Sequence, residues 1–189
     1  YIGRYEVGDL KQTTPVVKRM NTDIGSQTWY TMYKKCKKLS GTNTNVKTSM
    51  IWGTQYDQVM NWLIKSGEKT PLDINKGSVA WGNYSDVEFE YYTNTSKTTA
   101  TKNLGSRTRI ASGAYEGAKA NNIYDLAGNV DLWTLEANSS GSGNDRCYRG
   151  GSYNDYGTSN YASNHNYVNS PYNSNYILGF GGGLYIKQH

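Results

Sequence analysis

Phenylalanine is almost absent from this sequence: Phe89 and Phe180 stand alone in 189 residues, beside 18 tyrosines. The Tyr hydroxyl requires water or a partner, so a chain that takes its aromatics as Tyr presents aromatic surface as well as burying it. Apolar residues are scarce too, at 36%, below the usual share of a soluble globular domain. Cysteine occurs twice, at Cys36 and Cys147. Two cysteines so far apart, with no CxxC, exclude a dense disulfide framework and give no zinc spacing. One disulfide or two separate thiols both remain open, two thiols being the simpler reading. No stretch approaches the ~20 apolar residues of a membrane-spanning helix, so membrane insertion is not expected. No signal peptide opens the chain; it begins at Tyr1 without Met, as a piece of a longer protein would. The net charge is a modest +5, and its densest basic run is Lys34, Lys35, Lys37 and Lys38. No aromatic or Gly-rich nucleic-acid motif adjoins that run, so it reads as a solvated helix face and no nucleic-acid partner is expected.

What is present suits one domain over residues 1–189. Residues 1–7 are β-prone and predict an opening strand. Residues 25–39 predict a helix capped by Ser26, with Trp29, Met32, Tyr33, Cys36 and Leu39 in one apolar stripe. Residues 54–65 predict a second, capped by Thr54 and ended by Gly67, with Tyr56, Val59, Met60 and Leu63 inward. Residues 87–92 predict a strand, 93–105 an exposed loop and 184–186 a closing strand. The expected class is α+β: two helices on a central antiparallel sheet, the terminal strands side by side, and much irregular structure.

The run Asn122-Ile123-Tyr124-Asp125-Leu126-Ala127-Gly128-Asn129-Val130, followed by Trp133-Thr134, is the most specific feature. Gly128-Asn129 is a turn pair tolerant of positive φ, and Tyr124, Leu126, Val130 and Trp133 are able to fill a core. Gly150-Gly151 permits a tight turn or close packing. The run resembles the signature of formylglycine-generating (sulfatase-modifying) enzymes and their C-type-lectin-like relatives. Arg149-Gly150-Gly151-Ser152-Tyr153, the opening Tyr1-Ile2-Gly3-Arg4-Tyr5-Glu6 and the closing Gly179-Phe180 and Leu184-Tyr185-Ile186 resemble other elements of that family, in the same order. The resemblance implies the fold but argues against the chemistry. The family's enzymes use a cysteine pair where Asp155 and Asn160 stand here, and neither side chain can act as a thiolate. It also implies a calcium site built from Asp125 and the Gly128 and Val130 carbonyls. Leu132 replaces its carboxylate, so weak calcium binding at most is expected, with Asp131 next door. No cofactor is implied.

Residues 148–176 interleave seven tyrosines with Asn, Ser and Gly and show no core-forming period. Such a stretch alone reads as Asn-rich coil, but here family elements of an ordered fold bracket it. Tyr supplies wide contact area at small entropy cost, and Ser, Gly and Asn supply adaptable hydrogen bonds, as in antibody loops. The arrangement resembles the variable region of diversity-generating retroelement proteins, a family that includes phage receptor-binding (tropism-determining) proteins. There, adenine-directed mutation turns Asn codons into Tyr, Ser, Asp, His, Thr, Val or Gly. Asp155, Tyr156, Thr158, Tyr161, His165, Tyr167, Val168 and Tyr172 are reachable outcomes, and Gly181 stands where the family has Arg.

The expected ligand-binding set, within a variable stretch of about 148–181, is Tyr148, Tyr153, Asp155, Tyr156, Thr158, Asn160, Tyr161, His165, Tyr167, Val168, Asn169, Tyr172, Asn173, Asn175 and Tyr176. Tyr153, Tyr156, Tyr161, His165, Tyr167 and Tyr172 are expected to share one solvent-facing surface, over a buried Gly150, Gly151, Trp133 and Phe180. His165 reads as a surface contact, because the sequence places no second His or carboxylate beside it. The expected partner is a protein or glycan receptor on a target surface, and the expected location a phage tail or cell surface. Two other functions compete: an oxidase or hydrolase relative of the enzymes, and a glycan-binding lectin. The absent cysteine pair counts against the first. A stretch with Asp155 as its one acid from residue 148 onward counts against the second.

Overall fold

The computed structural model describes residues 1–138 and 145–187, and the backbone alone of residues 167 and 168. Its strands are β1 (Val7–Gly8), β2 (Val16–Val17), β3 (Val46–Met50), β4 (Phe89–Tyr92), β5 (Thr99–Lys102), β6 (Lys119–Ala120), β7 (Ile123–Tyr124), β8 (Asp131–Ala137), β9 (Arg146–Arg149), β10 (His165–Asn169), β11 (Leu178–Phe180) and β12 (Gly182–Ile186). The helices are α1 (Trp29–Cys36), α2 (Gly53–Lys65) and the single turn α3 (Pro71–Ile74). The class is mixed, with few helices and small sheets, most of them antiparallel.

The largest sheet runs β10-β9-β8-β11. It is not wholly antiparallel as expected: β11 joins β8 in parallel, with Phe180 opposite Trp133. The expectation about the termini holds. Gly3 N–H donates to Gly182 O at 2.8 Å and Leu184 N–H to Tyr1 O at 2.9 Å, while β12 pairs with β3. The opening segment is mostly irregular, however; Ile2 makes one isolated bridge to Gly183 before β1 begins.

The two predicted helices form where their apolar spacing places them, with different ends, and α3 was not anticipated. In α1, Trp29, Met32 and Cys36 are buried. Its cap is Thr28, whose hydroxyl accepts from Thr31 N–H at 3.2 Å. Ser26 has φ +66° and gives its N–H to Asn175 O, so the chain is still held against a distant loop where the sequence suggests a cap. In α2, Tyr56, Met60 and Leu63 are buried at the i, i+4, i+7 spacing of one face. The Gln55 carboxamide, not Thr54, closes the start by accepting from Trp52 N–H at 2.9 Å. The expected loop over 93–105 contains β5, hydrogen-bonded to β4. Lys102 anchors that hairpin: its buried ammonium donates to Tyr84 O at 2.6 Å and Val87 O at 2.8 Å.

Two main apolar clusters form the core. One gathers α2 residues around Tyr84, Leu126, Val130 and Leu132. The other joins Trp29 and Met32 of α1 to Met50, Trp133, Leu178 and Phe180. The long strand β8 faces both, because alternate residues of a strand point to opposite sides: Leu132 enters the first cluster and Trp133 the second. Cys36 and Cys147 are both buried and unpaired, so no disulfide joins them.

Candidate functional site

Two buried turns support the Tyr- and Asn-rich stretch of residues 148–176. In the first, Asp125, Gly128 and Asn129 all take positive φ. A Cβ on Gly128 would lie 2.2 Å from Asn83 O, so only glycine fits there. The Asn129 carboxamide is a hub. It donates to Glu6 Oε2 at 2.8 Å and accepts from Asn83 Nδ2 at 2.9 Å and Ile110 N–H at 3.2 Å. In the second turn, Gly150 and Gly151 have φ +95° and +72°. Gly150 O accepts from Tyr84 hydroxyl at 2.8 Å and from Gly128 N–H at 2.9 Å, which locks the turns together.

From that base the stretch is irregular but tied down at short intervals. Ser85 N–H and hydroxyl both donate to Asp155 O, at 2.8 and 2.7 Å. Gly157 N–H donates to Asp86 Oδ1 at 2.9 Å, and Ala162 N–H to Ser78 hydroxyl at 2.9 Å. The strand β10 pairs with β9, His165 opposite Arg149. Beyond it, Pro171 O and Asn175 O accept from Trp29 and Ser26 N–H, both at 3.1 Å, where the chain enters α1. Backbone and small polar groups make these ties, and the side chains of Tyr156, Tyr172 and Tyr176 are left exposed.

Part of the expected set is exposed. Tyr156, Tyr172 and Tyr176 are 56%, 70% and 57% exposed, and Thr158 and Asn173 are exposed beside them in sequence. Asn160, Tyr161, Asn169 and Asn175 are half-buried. Asn160 Oδ1 accepts from Asn164 Nδ2 at 2.8 Å and Asn169 Oδ1 from Asn173 Nδ2 at 3.2 Å. Tyr148 is half-buried, its ring edge-on to Trp133. The side chains of Tyr167 and Val168 lie outside the described residues. Gly150, Gly151, Trp133 and Phe180 are buried as expected.

Three expectations need correction. Tyr153 does not face solvent: it is 7% exposed, because its N–H donates to Asn129 O and draws it against the first turn. Its ring meets that of Tyr176 at 6.4 Å, so it props a surface residue from below. Asp155 spends a carboxylate oxygen on Ser152, accepting from its N–H at 2.9 Å and its hydroxyl at 2.7 Å; it shapes a turn. His165 is half-buried and has a carboxylate beside it after all, Glu136 of β8, with Nε2 2.9 Å from Oε1. Burial and then Arg149 lower the His165 pKa against the pull of Glu136, which keeps the imidazole neutral at pH 7.

One contributor escaped the sequence reading. Tyr30 of α1 lies 5.1 Å from Tyr172, ring to ring, and continues through Trp29 to Tyr33. The available signal was an aromatic one position off the buried stripe of a Lys-rich helix. Two clefts lie elsewhere, one near Arg4, Val59 and Trp62 and one near Tyr33, Trp52 and Tyr185, and neither is lined by a member of the expected set.

The calcium set does not fit calcium. Asp125 Oδ2 already accepts from Ser112 hydroxyl at 2.9 Å and Gly113 N–H at 2.7 Å. Its Oδ1 and two carbonyls fall short of the six to eight oxygens calcium takes, and Leu132 is a buried hydrocarbon. Burial pushes the Asp125 carboxyl up to about 6, opposed by the Gly113 and Ser112 hydrogen bonds. A carboxyl raised above its unfolded value near ~3.9 contributes stability below that value and loses it as pH rises through the folded pKa. Melting temperature is therefore expected to fall between about pH 4 and 6, and Asp125→Asn, nearly isosteric, to flatten that fall in a calorimetric pH series. Glu6, also raised by burial, acts in the same direction.

No family model matches the sequence, and no curated protein does either. Solved structures do match. Treponema denticola variable protein 1 superposes with TM-score 0.56 and 17% identity, over 88% of this chain and 71% of that one. CarF superposes with TM-score 0.53 and 14% identity, over 99% of this chain and 86% of that one. At such identities the likeness is one of fold, and the fold this chain shares is that of a variable protein, as its sequence motifs imply.

Proposed function

We propose that this chain is a non-catalytic ligand-binding protein of C-type-lectin-like fold, whose stretch of about 148–181 is a diversified recognition surface. The observation that carries the reading is a division of labour. Backbone groups, glycines and Ser152, Ser78 and Ser85 hold the stretch in place, while Tyr156, Tyr172 and Tyr176 reach solvent. Those three side chains can change without disturbing the core, as a diversified surface requires. A pre-ordered backbone also reduces the ordering cost of binding. The ligand is a protein or glycan receptor, met on a target surface by a phage tail or cell-surface protein. An oxidase of the related enzymes' kind is disfavoured, since Asp155 and Asn160 stand where a cysteine pair is needed and Asp155 serves a turn.

The coding sequence tests the diversification. A neighbouring reverse transcriptase gene is expected, with a near-copy of the segment for residues 148–176. Sister copies of the gene are expected to differ at Asn-derived codons in that segment and to agree at Gly150, Gly151, Trp133 and Phe180. Differences spread evenly along the gene would overturn the reading.

A further inference from the structure

We propose that Glu136, Cys147 and His165 form a binding site for a thiophilic divalent transition-metal ion, zinc foremost, with one coordination position left to an outside ligand. The three residues come from neighbouring strands of the large sheet, β8, β9 and β10. The register between β8 and β9 shifts between Trp133 and Ala137, and with Ala137 opposite Arg146 it sets Glu136 across from Cys147. Their ligand atoms, a carboxylate oxygen, Sγ and an imidazole nitrogen, all lie within 4.8 Å of one another. Zinc bonds of ~2.0–2.3 Å place tetrahedral ligands roughly 3.3–3.8 Å apart, so small side-chain adjustments close the set.

Two further observations point to a ligand. Glu136 Oε2 is buried and accepts no hydrogen bond, a costly state for a carboxylate oxygen that a cation relieves. Arg149 lies 3.8 Å from that atom, but the same guanidinium nitrogen is engaged more closely by Asp57, at 3.0 Å. The donor chemistry is selective as well. A thiol, an imidazole and a carboxylate together suit zinc, whereas calcium and magnesium take oxygen sets. Arg149 disfavours a purely electrostatic cation, and the metal–thiolate bond offsets this. On binding, the Cys147 thiol proton passes to solvent and sulfur donates the freed pair to the metal. The side chains of Glu136 and His165 are 33% and 24% exposed, so an ion has an entry path and the fourth ligand is water or a partner's group. Such a site would sit beneath β10, within the variable stretch, and would depend on the histidine that this copy carries.

Cobalt(II) is the probe, because a cobalt–thiolate bond adds a charge-transfer absorption that cobalt bound to nitrogen and oxygen lacks. Titrating the 189-residue chain with cobalt, then displacing it with zinc, is expected to show one thiolate-bound metal per chain. Cys36→Ala is expected to retain it and Cys147→Ser to abolish it. His165→Asn and Glu136→Gln are each expected to weaken affinity about tenfold or more, and they decide the matter if Cys147→Ser does not fold. Absence of the thiolate band, or a band unchanged in both His165→Asn and Glu136→Gln, would overturn the proposal.

Discussion

Replacing Tyr156, Tyr172 and Tyr176 together by alanine is expected to leave the melting temperature nearly unchanged and to abolish ligand binding. All three are more than half exposed, and substitutions at such positions usually stay within about ±0.5 kcal/mol each. Two have a ring neighbour, Tyr30 for Tyr172 and Tyr153 for Tyr176. An aromatic pair adds about 0.5–1.5 kcal/mol at most, so a loss of stability, if seen, should trace to those two and not to Tyr156. Binding is different. An exposed tyrosine at the centre of an interface commonly carries about 2 kcal/mol or more, roughly thirtyfold in affinity. Losing three together removes detectable binding to a receptor captured on the immobilised wild-type chain. Thermal unfolding and binding must be read on the same preparation. Unfolding of the triple variant would place the tyrosines in the core and sink the surface reading.

Trp133→Ala is expected to have the opposite profile, a loss of about 3–5 kcal/mol in stability. Trp133 is fully buried. Phe180 lies beside it across the parallel pairing with β11, and Tyr148 packs edge-on against it at 5.6 Å. Deleting the indole opens a cavity where the two strands meet, and β-sheet backbone collapses poorly into such a space. The indole Nε1–H donates no hydrogen bond. Trp133→Phe therefore removes an unpaired buried donor along with some packing, and is expected to cost clearly less than Trp133→Ala. Urea denaturation checks both: the midpoint should shift while the slope stays constant. A midpoint close to wild type for Trp133→Ala would mean that β8 does not form the centre of the core.

The legible part of the fold was what local chemistry encodes. The stripe Trp29, Met32, Cys36 specified a helix face, and the i, i+4, i+7 set Tyr56, Met60, Leu63 a second. Gly128 and Gly151 announced turns, because a Cβ at either would strike a carbonyl oxygen at 2.2–2.3 Å. Helix starts were less legible. Ser26 has the chemistry of a cap, but its N–H is taken by Asn175, 149 positions away in the chain, and no local pattern reports so distant a bond.

The candidate site divides in the same way. Composition alone set residues 148–176 apart, since Tyr with Asn, Ser and Gly offers aromatic area and hydrogen bonds without an apolar period. Which tyrosines face outward was decided by tertiary contacts: one hydrogen bond to Asn129 turns Tyr153 inward, whereas Tyr156, three residues on, stays in water. The pairing of His165 with Glu136 was equally hidden. It depends on β9 lying between two strands separated by 28 positions from Ala137 to His165, with a register shift between β8 and β9 in the segment that carries Glu136. Residue type determines which chemistry a position offers; only strand order and register determine which offers meet, because they bring together groups whose separation along the chain carries no information about their distance in space.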